Sequence, residues 1–146
     1  MAALQRSCFT GGTIRKFYMK HLFLSFAMLI ALQVSAQISA ESIVGKWMKM
    51  PKEDLEIEVY QTAKGYSGKI SWVKPTDTSK EVGFLILENL AFNPQKKFWE
   101  NGKIYSPGSG NVYSADAAIK PDGTLEVLGY KGMKFIGKKK YFRRVK

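Results

Sequence analysis

The sequence predicts an all-β domain, a single small eight-stranded antiparallel up-and-down barrel. Three observations predict it. Apolar residues from Ser42 onward recur with a period of two, and turn-forming residues interrupt them about every ten positions. No stretch of that region sustains the i, i+3, i+4, i+7 spacing of an amphipathic helix.

The segment ahead of the domain reads differently. Residues 1–18 form an upstream extension, and from Met19 the chain has the three parts of a secretory signal. Lys20 and His21 give a short positive start, Leu22 to Leu32 an apolar run, and Val34-Ser35-Ala36 the small residues favoured beside a cut. A membrane-spanning helix needs about 20 apolar residues, and this run has eleven. Residues 19–36 are therefore expected to be a signal peptide. Cleavage is expected after Ala36, or after Ala40 where Ser-Ala recurs, leaving an exported protein, periplasmic or secreted. No cysteine follows the apolar run, so the lipid attachment of a bacterial lipoprotein is excluded.

Within residues 37–146, strands are expected near 43–50, 55–62, 66–74, 83–90, 96–105, 111–119, 124–130 and 138–145. Leu55, Ile57 and Val59 alternate with Glu56, Glu58 and Tyr60, the pattern of a half-buried strand. Tyr66, Gly68, Ile70 and Trp72 are expected on one face, opposite Ser67, Lys69 and Ser71. Leu125 and Val127 flank Glu126, and Phe142 and Arg144 alternate with Tyr141, Arg143 and Val145. Pro51 to Asp54, Lys64-Gly65, Pro75 to Glu81, Ser106 to Gly110 and Pro121-Asp122-Gly123 supply the turns. Asn101-Gly102 either reverses the fifth strand or marks a bulge in it. Eight sequential strands with tight turns make a meander, which closes into a barrel or folds into a sandwich to hide its edges.

Composition narrows the chemistry. Cys8 is the only cysteine and His21 the only histidine, and both precede the domain. The domain thus has no disulfide, thiol nucleophile or imidazole base, so Ser-His-Asp and Cys-His catalysis are excluded, as are zinc or copper sites built on Cys or His. No metal and no cofactor is implied. Four of the basic residues and none of the acids lie upstream, so the formal charge of +11 falls to +7 in the domain. All its basic residues except Arg143 and Arg144 are lysines, which together with export argues against nucleic acid.

Two resemblances follow from particular residues. Gly45-Lys46-Trp47 opens the first strand as Gly-x-Trp, and Arg143 and Arg144 close the last. This resembles the lipocalin and calycin arrangement, which implies barrel closure by Gly45, Trp47 and a terminal-strand arginine, with Arg144 favoured because it shares a face with Phe142. A guanidinium over an indole is a favourable cation–π contact. A second resemblance covers about Gly45 to Val145. Trp99-x-x-Gly102-x-Ile104-x-Ser106-Pro107-x-x-Gly110-x-x-Tyr113 is followed by Leu125-x-Val127-x-Gly129-Tyr130-x-Gly132, then Phe135-x-Gly137 and the closing Arg144-Val145. These residues are similar to the bacterial exported family called domain of unknown function 2147, which implies an envelope location and no established activity. Ser106, Leu128 and Phe142 stand where that family usually has Asp, Arg and Trp, so any function resting on that Asp and Arg is missing here.

Function is expected from the aromatics. The domain holds fourteen Phe, Trp and Tyr residues, which either line a pocket or fill the barrel with their own bulk. Trp99, Tyr105 and Tyr113 surround a Gly- and Pro-rich loop, and with Trp72 they form the candidate ligand pocket. The leading expectation is an exported noncatalytic binding protein of the bacterial envelope for a small apolar or amphiphilic, lipid-like molecule. The alternative is a filled barrel contacting an envelope protein or an anionic membrane surface, with Lys138-Lys139-Lys140, Arg143 and Arg144 as its basic face. Those lysines otherwise read as a solvated face or as protection of an edge strand. Glu88, Glu100, Asp116 and Asp122 are the residues a weaker third reading, a carboxylate-dependent hydrolase, would need.

Overall fold

The computed structural model describes residues 37–146; the extension at 1–18 and the export signal at 19–36 lie outside the described residues. A 3-10 turn, Ala40–Ile43, precedes eight strands: β1 (Gly45–Met50), β2 (Leu55–Thr62), β3 (Gly65–Val73), β4 (Leu85–Asn93), β5 (Phe98–Tyr105), β6 (Val112–Ile119), β7 (Leu125–Tyr130) and β8 (Lys138–Arg144). A second 3-10 turn, Lys134–Ile136, links β7 to β8. Each strand pairs antiparallel with the next, and β1 pairs with β8, so the sheet is a closed barrel rather than a sandwich. Closure removes every open edge. β8 pairs with β1 through Tyr141–Arg144 and with β7 through Lys138–Phe142, so Lys138, Lys139 and Lys140 are ladder-paired on the β7 side alone.

The strand faces follow the pleat except at bulges in β3 and β5 and at two register shifts of β4 against β3, around Asn89 and at Ile86. In β5, Trp99 pairs with Ala117 while Gly102 pairs with Ala115, so β5 carries one extra residue between them. Asn101 takes a φ of 61° there, which identifies Asn101-Gly102 as a bulge and not a reversal. In β3, Trp72 pairs with Glu56 and Ile70 with Ile57, again one extra residue. That step flips the parity of the strand. Ile70 is fully buried, whereas Trp72 turns outward and is 40% exposed, contrary to the expected shared face.

Two ends result. At one end the Ala40–Ile43 turn lies beside the start of β1, the start of β5 and the end of β8. Here Trp47, Trp99 and Phe142 pack with Ile57, Val59, Leu90, Leu125 and Val127 into the buried core. At the other end stand the connections β1–β2, β3–β4, β5–β6 and β7–β8. The barrel is packed solid at the first end; toward the second, Leu55, Ile70, Ile86 and Leu87 are also buried and only the β5–β8 side is open.

Candidate functional site

The solid end is shut by one side-chain stack. Trp47 is fully buried, and its indole N–H donates to the Ile43 carbonyl at 2.8 Å. β8 pairs Arg144 directly with Trp47, which places the guanidinium 4.3 Å from the ring centroid. The same guanidinium donates to the Val44 carbonyl at 3.0 Å and the Ser42 carbonyl at 2.5 Å. One arginine therefore satisfies two carbonyls leaving the helical turn while covering the indole. Gly45 is required by the same stack. Its φ is 131°, and a Cβ there would lie 2.8 Å from Arg144 Nη1. Trp99 donates to the Ala40 carbonyl at 3.1 Å and packs on Phe92, with ring centroids 5.1 Å apart.

The open end contains a cleft of about 410 Å³ between β5, β6, β7 and β8. Ile104, Tyr113 and Gly129 form its apolar wall, Tyr105 and Ser106 its β5 margin, and Lys131, Lys138 and Lys140 its basic side. The register explains the mixture. Ile104 pairs with Tyr113 and Gly129 with Ala115, all on the inward face. Gly129 leaves the space its neighbours need, since a Cβ there would sit 3.1 Å from Ile104 Cγ2. Lys138 and Lys140 share the face of buried Phe142 by simple alternation, so the strand that buries Phe142 also sends lysines inward.

Next to Lys140 an ion-pair network ties two connections of the open end together. Asp54 accepts from Lys49 at 3.0 Å and from Lys80 at 3.2 Å, and Lys80 also pairs with Asp77. Burial alone would raise the Asp54 pKa, but the hydrogen bonds and charges of Lys49 and Lys80 outweigh it and hold the carboxyl below its usual range. The Lys140 ammonium is also held below the usual lysine range, first by burial and then by repulsion from Lys49 and Lys80, with Asp54 offsetting part of it.

Of the four residues expected to form a pocket, the structure brings Tyr105 and Tyr113 to the cleft. It does not bring the other two. Trp99 is fully buried at the solid end, and Trp72 lies outside because of the β3 bulge. Tyr105 points its hydroxyl to Glu88, donating at 2.5 Å, and that bond raises the phenol pKa. In the sequence Lys140 reads only as part of the basic Lys138-Lys139-Lys140 run, although counting back by twos from Phe142 places it on the inward face. Of the four carboxylates of the hydrolase reading, Glu100 and Asp116 are near neighbours across β5 and β6, both close to Lys134, and each of the four has its own hydrogen-bond partner. Glu88 is held by Tyr105, Glu100 by Asn93, Asp116 by Lys134 and Asp122 by the Thr124 N–H, with no partner shared between any two.

A closed eight-stranded meander with one end shut by a Trp–Arg stack and a cleft at the other is a lipocalin-like barrel. Among solved structures it is similar to one described as "Protein HP1028 from the human pathogen Helicobacter pylori belongs to the lipocalin family", with a TM-score of 0.60 and 16% identity over 71% of this chain and 83% of that one. At that identity the likeness concerns the fold. The chain belongs to the bacterial family described as "Uncharacterized protein conserved in bacteria (DUF2147)", whose model matches residues 45–144 and so spans the whole barrel. No curated protein matches the chain.

Proposed function

We propose that this protein is an exported, noncatalytic binding protein of the bacterial envelope whose open-end cleft takes a small amphiphilic molecule. The observation that carries the reading is the cleft itself. Its volume of about 410 Å³ falls within the roughly 300–1,000 Å³ of ordinary ligand sites. The lining combines an apolar wall with a few polar groups, as small-molecule sites do. The export pattern at 19–36 supports an envelope location, and the family is bacterial. Native mass spectrometry of protein recovered from the envelope tests the reading. The expected result is an adduct of a few hundred daltons, the mass that fits such a volume, released on denaturation. A clean apo mass with no saturable binding of a fluorescent fatty-acid probe counts against it.

One observation favours a second reading, contact with an anionic membrane surface. Met133, Phe135 and Ile136 are 56%, 82% and 65% exposed on the β7–β8 connection, and Lys131, Lys134 and Lys138 flank them. Apolar tips among lysines suit an anionic lipid interface, where each lysine contributes about 1 kcal/mol. Cosedimentation with phosphatidylglycerol vesicles that is lost in Phe135→Ser supports this surface; equal cosedimentation of both proteins rejects it.

A further inference from the structure

We infer that the occupant of the cleft is a single-chain amphiphile with an anionic head, and that Lys140 supplies the counter-charge with Lys138 and Lys131 beside it. The inference rests on the binding reading above and specifies its chemistry. Among the described residues, the ion pairs engage Lys46, Lys49, Lys69, Lys80, Lys96, Lys120, Lys134, Lys139 and Arg143. Lys52, Lys64, Lys74, Lys97, Lys103 and Lys146, all exposed, are outside that set, as are Lys131, Lys138 and Lys140, which line the cleft; of all nine, Lys140 alone is half-buried. The asymmetry along β8 is sharp. Lys139, facing outward, pairs with Glu126 at 3.3 Å, while its neighbours facing inward pair with nothing.

Charge balance points the same way. Lys49 and Lys80 are matched by Asp54 and Asp77, so the network beside Lys140 is neutral as a unit. Lys140 adds one uncompensated positive charge in a half-buried position. A half-buried cation without a partner is disfavoured, and a chain of this composition has glutamates and aspartates with which to neutralise it. The charge left free inside the cleft, lowered in basicity by burial and by its lysine neighbours, is the property of a site completed by an incoming anion. The wall opposite adds the second requirement. Ile104, Tyr113 and Gly129 offer nothing ionic, so the same ligand must also present an apolar portion.

Matched probes separate the parts of this inference. Decanoate carries head and tail, 1-decanol the tail alone, and acetate the head alone. Calorimetry at neutral pH should give decanoate an affinity at least about tenfold above 1-decanol, the least expected of a charge-assisted contact, with acetate weaker than both. Lys140→Met should remove most of that preference while 1-decanol still binds, and Lys140→Arg should retain it. Lys139→Met, on the outer face, should leave it unchanged. Equal affinity for decanoate and 1-decanol overturns the anionic head while the cleft reading stands. Acetate binding as tightly as decanoate overturns the amphiphile. Cosedimentation with phosphatidylglycerol vesicles but no response to dissolved decanoate moves the anion to a membrane-held head group and overturns a free ligand. No binding of any probe removes the cleft reading and this inference with it.

Discussion

Replacing Trp47 by alanine should be the most destabilising single change at the solid end of the barrel. The indole is fully buried, and truncating a large buried aromatic costs about 3–5 kcal/mol. Two further losses come from its partners. The Ile43 carbonyl loses its 2.8 Å donor, a net loss of about 1 kcal/mol, and Arg144 loses its ring, worth roughly 0.5–1 kcal/mol at an exposed guanidinium. These terms overlap, so the expected cost is about 4–6 kcal/mol, against a total of roughly 5–15 kcal/mol for a natural domain. Arg144→Ala should cost less, about 1–2 kcal/mol, because its hydrogen bonds to the Ser42 and Val44 carbonyls pass to water. Urea unfolding followed by far-ultraviolet circular dichroism measures both, and the double variant should show a coupling of about 0.5–1 kcal/mol. A Trp47→Ala protein within about 1 kcal/mol of the parent, the size of an ordinary surface change, would refute the closure argument.

Further consequences can be measured on the same protein. Gly102→Ala should cost about 1–3 kcal/mol by overpacking, since a Cβ there would lie 2.6 Å from Leu90 Cδ2 and 2.9 Å from the Glu88 backbone oxygen; an unchanged unfolding midpoint would contradict the bulge geometry. Asp54 and Glu126 have folded-state pKa values below their ordinary 3.8 and 4.5, so their stabilisation is complete above that range and is lost as pH falls through it. Asp54→Asn with Glu126→Gln should therefore flatten the acid limb of a stability-against-pH curve, and an acid limb as steep as the parent's would reject the assignment. Intact mass of the exported protein should give Gln37 as its first residue, because cleavage after Ala40 removes the carbonyl that accepts from Trp99 and the Ile38 side chain packed on the core. A chain beginning at Glu41, or one retaining residues 19–36, would contradict that choice.

Much of the fold was legible because an eight-stranded meander is written in local signals. Period-two alternation located every strand to within a few residues, and Pro121-Asp122-Gly123 located a turn in which Gly123 takes a φ of 83°. The Ala40–Ile43 turn was not legible. It replaces the expected beginning of β1 at Ile43, and its carbonyls are held by Trp47, Trp99 and Arg144, the last a hundred or so residues away. The site was less legible than the fold because a bulge changes which face a side chain takes. Ser71 gives no warning that Trp72 will turn outward, and Trp99 lies at the far end of β5 from Tyr105. Lys140 failed for another reason. A lysine run suggests solvent by composition, and only the buried Phe142 two residues on shows that Lys140, and Lys138 before it, share the inward face.

The central claim is that the open half of the barrel, and not the solid half, receives the ligand. Two-dimensional NMR of the labelled protein titrated with decanoate tests it directly, because the three indole N–H groups and the cleft amides report separately. The account predicts saturable shifts at Tyr113, Gly129 and Lys140, with the indole signals of Trp47 and Trp99 nearly still. Shifts concentrated at those two indoles, or confined to the exposed Met133–Ile136 surface, would contradict it.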